Sequence, residues 1–570
     1  RQLVVAVNGG RAFTAHLHSD PPAGSRQFYV LHAMLGSQRF RSQAVPAGVE
    51  PAFQCRFVMD LVPSGTVGVA GVASLLSWRN PVALTLTCVT QHGVMTEEAM
   101  SVDLVSTVDL EWRTVLSRGR HTLTVELPGV GDEAKLGVPI GALQVDLQLL
   151  PSVGPGSRFS QTDIARQARA ENELEAAARR KFFKYAREWW ANYRESHPSF
   201  ESRLVKIFAE DESCLHQPVV SFVQPVDGGR LLPSPRHAAR FVSLLPFRRV
   251  EPSSTSGQSS SRWHSVVTTL ALRFGDAAAH ATLLCSLLLG FGLEAFVVMG
   301  TRLDAKGLES DHVWVMTRDD SGDDGSTAVF WETLTGQRLK PTATTPSGHR
   351  FLRVGGVVAS RLVCVLRSPP ALPQIGCVFN DTAFFANKQP NDLVEAASFD
   401  FEDDRAWKSM DPALLRDLRQ PPAVPLTPPT LNEGDVAAAV ETDLKAHIAS
   451  LRDSLSLTAV FDPKLEFLLG GALAVYELER VTSLHISNPE FQQGLRKLVP
   501  TGYTFKAFPI VFNHLSPTRI MAVRCAARVA QDILGTRGDN TKFGVRVAVH
   551  AYPEDFCAVW VMLAVVTRPL

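Results

Sequence analysis

The sequence predicts a multidomain α+β protein, with an N-terminal β-sandwich, a helical connector, an α+β domain and a C-terminal α/β extension. Three observations lead to this fold class. Short runs of alternating polar and apolar residues fill the first quarter of the chain, strong helix formers follow, and helical and β-rich segments mix thereafter. A chain of 570 residues is long enough for about three to five domains. The predicted boundaries enclose residues 1–155, 156–212, 213–430 and 431–570.

Composition excludes several broad classes of protein. The chain has 45% hydrophobic and 20% charged residues, which is ordinary for packed globular domains. Lys and Arg together number 57, as do Asp and Glu, so no net field attracts nucleic acid and no nucleic-acid partner is predicted. The 8 cysteines show no paired C-x-x-C motif, which predicts neither a disulfide framework nor a metal site.

The sequence has no stretch with the character of a membrane anchor. It contains no run of about 18 apolar residues and no charged start followed by an apolar core. These absences predict neither a membrane-spanning helix nor a secretory signal.

The first domain has the pattern of a two-sheet sandwich. Runs such as GALQVDLQLL alternate polar and apolar residues and are separated by Gly, Pro and Ser. A calcium site would need six to eight oxygen ligands on neighbouring loops. The early loops offer only Asp20, and Asp60 follows within an apolar run, so no calcium site is predicted. We expect this domain to be a docking surface.

Residues 158–211 change to a helical pattern. Ser160 and Asp163 can cap the first turn, and good helix formers follow. The second half interleaves cationic and aromatic residues: Arg179, Arg180, Lys181, Lys184 and Arg187 with Phe182, Phe183, Tyr185, Trp189 and Trp190. The favoured interpretation packs the aromatic rings against the next domain and leaves the cations in water. The alternative is a lipid or microtubule adaptor with peripheral membrane or microtubule contact.

The stretch from Gly275 to Glu332 carries the main indication of function. It predicts a helix ended by Gly290, followed by short β-rich runs of which one carries His312 and a later one carries Glu332. A helix followed by strands bearing a His and then an acid is typical of papain-like and transglutaminase-like cysteine enzymes. In those enzymes the nucleophilic thiol begins the helix, where the dipole and a nearby His lower its pKa.

The motifs GDAAAHATLLCSLLLGFGLEA, HVWVM and FWETLTG resemble the transglutaminase-like domain of the centrosomal protein of 76 kDa family. The resemblance extends to VNGGRAF and TVELPGV near the start, in what it implies is a C2-type domain, and to YELER and YPEDFCAVWVM near the end. Carried over by position, Ala277 stands where the family has the nucleophilic Cys. His312 and Glu332 stand at the other two triad positions.

The resemblance therefore implies a degenerate transglutaminase-like domain with no catalytic residue. Thiolate attack requires sulfur, and position 277 bears a methyl group. Cys285 lies eight residues further along the helix, about 12 Å of rise, which is more than a side chain spans. Cys377 lies in an apolar run, which favours packing. The alternative is a residual cysteine-peptidase-like or acyl-transfer enzyme that uses His312 and Glu332.

The function that the resemblance implies is a non-catalytic scaffold of the centrosome, centriole, basal body or cilium, in the cytoplasm and cytoskeleton. Such a protein would bind other centrosomal or ciliary proteins, with a peptide in the degenerate cleft as one option, and would limit centriole duplication. No cofactor is predicted. Three points stay open at this level: the oligomeric state, whether the alanines at 277–279 are natural or engineered, and whether 431–570 is a separate domain.

Overall fold

The computed structural model describes residues 1–14, 25–62, 71–92, 100–152, 154, 158–249, 262–303, 309–319, 327–342, 350–353, 374–418, 424–484, 486–526 and 528–568. The predicted position Asp20 lies outside these residues. Within this part of the chain, the helices are all too short or too polar to cross a membrane.

The N-terminal region is a sandwich of two antiparallel sheets, ordered β5-β1-β9-β8 and β3-β2-β6-β7, with β4 beside β2. Along β9, buried and more exposed positions alternate as the sequence predicts, because one face of the strand packs on the core. Leu31, Leu84 and Leu147 are among the fully or nearly fully buried residues between the sheets. The elements are β1 (Gln2–Arg11), β2 (Ser25–Leu35), β3 (Gln38–Arg41), β4 (Val45–Pro46), β5 (Cys55–Asp60), α1 (Val72–Leu76), β6 (Val82–His92), β7 (Met100–Leu110), α2 (Val115–Arg118), β8 (Arg120–Leu127), α3 (Asp132–Leu136) and β9 (Gly141–Leu150).

The connector is one long helix, α4 (Gln161–Ser196). Ser160 caps it, since its side chain accepts a hydrogen bond from the backbone N–H of Asp163, as the sequence predicts. Trp189 donates its indole N–H to the Ser409 carbonyl at 2.8 Å, and Tyr193 donates to the Asn387 carbonyl at 2.7 Å. Phe182 and Trp189 are buried, in agreement with the favoured interpretation, whereas Phe183 is 58% exposed.

The central domain packs helices against one face of an eight-stranded sheet, ordered β16-β15-β14-β13-β12-β17-β18-β19. The strands are β12 (Glu294–Leu303), β13 (Glu309–Asp319), β14 (Thr327–Glu332), β15 (Gln337–Thr342), β16 (Arg350–Arg353), β17 (Gln374–Phe379), β18 (Phe384–Asn387) and β19 (Trp407–Ser409). The elements before these strands are β10 (Phe208–Glu210), β11 (His216–Pro218), α5 (Pro235–Leu244), α6 (Val266–Leu272) and α7 (Ala277–Gly290), and α8 (Pro412–Arg416) follows them.

The two faces of this sheet belong to two separate buried clusters. Val313 and Val315 of β13 lie in one cluster with Leu284 of α7, and we call this side the helix face. Trp314 and Met316, which alternate with them, lie in the other cluster with rings such as Phe401, and we call this side the outer face.

The C-terminal region has a three-stranded sheet of its own, ordered β20-β22-β21, which is separate from the eight-stranded sheet in the described part of the chain. Successive residues of β22 pack on opposite sides: Val561 lies with α9, while Met562 lies with α10. The elements are α9 (Glu433–Ser454), α10 (Pro463–Thr482), α11 (Pro489–Leu498), β20 (Thr504–Phe512), α12 (Pro517–Ala526), α13 (Arg528–Leu534), β21 (Asp539–Tyr552) and β22 (Phe556–Arg568).

A buried carboxylate joins the C-terminal region to the central domain. Glu477 of α10 accepts hydrogen bonds from the Arg240 guanidinium of α5 at 2.9 and 3.0 Å, and from the Tyr552 hydroxyl at 2.6 Å. Burial raises the pKa of Glu477, but the guanidinium and the other donors outweigh that effect and hold it below its usual range. This interface therefore depends on charge pairing in a buried setting.

Candidate functional site

The start of α7 is the position at which a cysteine nucleophile is expected. Asp276 caps the helix, since its carboxylate accepts a hydrogen bond from the Ala279 backbone N–H at 2.9 Å. Ala277 is the first helical residue and presents only a methyl group. The ring of His280 is fully buried and lies 2.7 Å from the Asp276 carbonyl and 3.1 Å from the Leu245 carbonyl. His280 therefore serves to hold the helix start against the preceding chain.

A segment of the connector, residues 203–208, lies across the sheet beside this helix start; we call it the strap. The Arg203 guanidinium anchors it by donating to the Asn387 carbonyl at 2.6 Å. The Leu204 backbone lies so close to Gly376 of β17 that a Cβ at position 376 would overlap its carbonyl group. The backbone of Lys206 lowers the pKa of the Cys377 thiol, although burial outweighs that effect. The strap is thus packed directly on β17.

Lys206 is a half-buried cation of the strap whose charge interacts with that of Asp276 at the start of α7. Its Nζ lies 5.2 Å from the ring centroid of Trp263. Burial lowers the pKa of Lys206, and the negative charges of Asp276 and Asp311 partly counter that effect. Motif reasoning missed Lys206, although a single cation inside the apolar run LVKIF was a usable signal.

His312 and Glu332 form a direct pair, with His312 Nε2 3.2 Å from Glu332 Oε2. The imidazole also stacks on Trp314, with ring centroids 4.8 Å apart. Burial raises the pKa of Glu332, but the hydrogen bond and charge of His312, together with the charge of Arg302, outweigh it and lower that pKa overall. The two positions that sequence comparison aligns with a base and an acid are therefore in contact.

This pair lies on the outer face of the sheet. Side chains two residues apart on a strand point to the same side, and His312 stacks on Trp314, whose ring belongs to the outer cluster. Ala277 instead packs with the cluster on the helix face, as does Val313. The structure therefore brings together two of the three predicted positions, while Ala277 packs with the cluster on the opposite face.

Cys285 and Cys377, two of the described thiols of the central domain, are not placed to act as nucleophiles. Cys285 is fully buried in α7, and burial raises the pKa of its thiol well above the usual value. Burial likewise raises the pKa of Cys377 to about 12. Both belong to the cluster on the helix face, whereas His312 lies on the outer face. Cys364 lies outside the described residues, as does the side chain of Cys525.

Metal ligation has no basis in the described part of the chain, where no group of three or more His, Cys, Asp or Glu side chains could hold an ion. Asp20 and Asp60 are the two carboxylates considered as calcium ligands, and Asp60 lies within the described residues. Its side chain accepts a hydrogen bond from the Gln2 side chain at 3.1 Å. Asp60 is the last residue of β5.

Comparison with known proteins matches the chain to three family models. Residues 1–154 match the CEP76 C2 domain, residues 261–410 match the CEP76 peptidase-like domain, and residues 430–568 match the centrosomal protein of 76 kDa C-terminal domain. The three matches follow one another in the order of the sandwich, the central domain and the C-terminal region.

Curated relatives agree with the family models. Proteins named centrosomal protein of 76 kDa from Mus musculus and Homo sapiens are each 38% identical over 581 residues, which is 99% of this chain and 83% of theirs. Protein CC2D2B of Homo sapiens is 26% identical over 342 residues, which is 57% of this chain and 20% of that protein. These matches confirm the predicted fold class and family resemblance, and the relatives' name supports the predicted centrosomal and cytoskeletal location.

Proposed function

Since the chain belongs to the family of the centrosomal protein of 76 kDa, we propose that it is a non-catalytic scaffold that binds other centrosomal or ciliary proteins. The sandwich supplies one rigid surface for such contacts, and the central and C-terminal domains supply others. Restraint of centriole duplication through these contacts is part of the proposal. Centriole counts in depleted cells, with and without re-expression of the chain, test that part.

The observation that carries the non-catalytic assignment is the environment of the α7 start. Covalent acyl transfer needs a thiolate, an adjacent base and an orienting group within hydrogen-bond reach of one another. Here the helix begins with Ala277, and the carboxylates whose charges act on Lys206 include the capping Asp276 and Asp311. Two carboxylates and an ammonium at this point support binding and packing and provide no nucleophile for acyl chemistry.

The strap also limits what the cleft can bind. Leu204, Val205 and Ile207 pack against the central core, and the Arg203 guanidinium fixes their position. A peptide that entered beside β17 would have to displace this segment first. We therefore place partner binding by the scaffold on its outer surfaces, with the cleft already filled by the chain itself.

The residual-enzyme alternative has one observation in its favour, the 3.2 Å contact of His312 with Glu332. That pair could in principle orient a water molecule as a general base. The described cysteines contribute no residue to the outer-face cluster, so a thiol nucleophile would have to come from elsewhere.

The direct test is incubation of the full chain with a glutamine-containing peptide and a primary amine. Intact mass spectrometry would detect a covalent adduct, and amine incorporation would report turnover. We expect neither signal. A thioester, or turnover that is lost in His312→Ala, would overturn the non-catalytic assignment and restore the enzyme alternative.

A further inference from the structure

A groove of about 400 Å³ lies on the surface between α4 and the strap. We call it the α4 groove, and it is lined by Phe183, Ala186, Arg187, Trp190, Val205, Lys206, Ile207 and Phe208. The Phe183 side chain is 58% exposed, although its ring centroid is only 5.6 Å from that of Phe208. A large exposed ring at the rim of an aromatic groove leaves apolar surface in contact with water.

A row of exposed cations borders the α4 groove. Arg180, Lys184 and Arg187 follow one another at steps of four and three, so they share one side of the helix. None of the three forms an ion pair within 4.0 Å among the described residues. Their neighbours differ: Arg179 pairs with Glu175 at 2.9 Å, and Lys181 approaches Asp417 at 3.8 Å.

Positive charge predominates along this part of α4. Between positions 179 and 194 the sequence has six Lys or Arg residues and one acidic residue, Glu188. The chain as a whole is neutral, with 57 residues of each sign, so this surface departs locally from the average. Complementary charge on a partner would therefore favour and orient its approach to this surface.

We propose that the α4 groove binds an acidic peptide segment of a partner protein, anchored by an aromatic or leucine side chain. The row of free cations selects negative charge, and the concave aromatic lining accommodates one apolar side chain. A bilayer surface is the less suitable occupant, since the groove, although largely open to solvent, is a recess between α4 and the strap that admits a single side chain. Neither His312 nor Glu332 lines the groove. The proposal rests on the partner binding proposed above, and its failure would leave the non-catalytic assignment standing.

The test uses the full chain and fluorescein-labelled model peptides, with fluorescence anisotropy as the measurement. The first peptide alternates Glu and Asp around a central Trp, the second replaces that Trp by Ala, and the third replaces the acids by Lys. We expect only the first to bind well, and we expect its affinity to fall as salt is raised, because screening weakens contacts between exposed charges.

Two substitutions and two matched controls locate the site. Arg187→Glu and Phe183→Ser should each weaken binding of the Trp peptide by about tenfold. Arg169→Glu makes the same charge change on an exposed position of α4, about 27 Å away along the helix. Phe467→Ser removes another ring, 82% exposed, from α10. Both controls should leave binding unchanged, and thermal melts should show all four variants folded.

Three outcomes would overturn the proposal. The first is absence of binding by the Trp peptide to the unchanged protein. The second is an equal loss of binding in Arg169→Glu and Arg187→Glu, which would indicate nonspecific charge attraction. The third is tight binding to phosphatidylserine vesicles that survives Phe183→Ser, together with weak peptide binding, which would indicate a membrane-facing surface instead.

Discussion

The two faces of the eight-stranded sheet each hold part of what a cysteine enzyme needs, and neither holds all of it. The helix face has the capped start of α7, where Ala277 takes the nucleophile's position next to the capping Asp276. The outer face has His312 and Glu332 in contact at 3.2 Å. The comparison teaches that matching residue types along the chain do not make a site, because the side of a strand on which a residue lies decides which groups it meets.

The largest expected effect comes from a substitution that displaces the strap from the helix face of the sheet. Gly376→Ala places a methyl group against the Leu204 backbone, so we expect the free energy of unfolding to fall by about 2 kcal/mol. Thermal melts measure the loss, and hydrogen exchange should rise in residues 203–208. Gly48→Ala is the matched control, since a Cβ there meets nothing within 4 Å, and it should change little. Equal stability of the two variants would show that the strap is loosely held.

The next largest effect comes from a substitution that removes the contact between His312 and Glu332 on the outer face. His312→Ala leaves Glu332 without its nearest donor and should cost about 1–2 kcal/mol in the free energy of unfolding at neutral pH. The pKa of Glu332 is lowered in the folded state, so the stabilisation is fully present above its usual value of 4.5 and is lost as pH falls through the lowered value.

Denaturant unfolding at several pH values checks this prediction. The difference between the unchanged protein and His312→Ala should shrink as pH is lowered from about 5 to about 2. Glu332→Gln removes the titrating group and should abolish that pH dependence. A difference that stays constant across this range would mean that packing of His312 on Trp314, and not the pairing with Glu332, provides the stability.

A smaller effect of opposite sign concerns Lys206. Its pKa is lowered by burial, so at neutral pH the folded state holds a charge that it disfavours. Lys206→Met removes the ammonium but keeps an unbranched apolar side chain, and it should raise the free energy of unfolding by about 0.5–1 kcal/mol. The gain should diminish as pH rises towards 10.5, the usual Lys value. A destabilised variant would show that Asp276 and Asp311 require the ammonium as their partner.

The smallest expected effect is the one that best tests whether the two faces of the sheet are separate. Ala277→Cys restores sulfur at the start of α7 but leaves His312 on the other side of the sheet. We expect no acyl adduct and no turnover with the glutamine-containing peptide, and little change in stability. Recovery of activity that depends on His312 would mean that the two faces can communicate, and our separation of them would be wrong.

Much of the fold could be predicted from local pattern. Ser160 as a cap, the alternation along β9 and the helix that Gly290 ends are each set by neighbouring residues, and the structure has them where the sequence places them. The face occupied by His312 was not readable in the same way. The residues that follow it are buried on both sides of the sheet, so their apolar run has no alternation to mark a face.

The sequence by itself determined the family, the order of the fold classes along the chain and the absence of sulfur at position 277, since these depend only on residue identity and local spacing. The tertiary structure alone decided that the charge of Lys206 acts on that of Asp276 at the α7 start and that His312 lies across the sheet from Ala277. Both depend on contacts between segments distant in sequence: the strap on β17, and the register of β13 against its neighbours. Nonlocal packing, which local patterns do not encode, sets those positions.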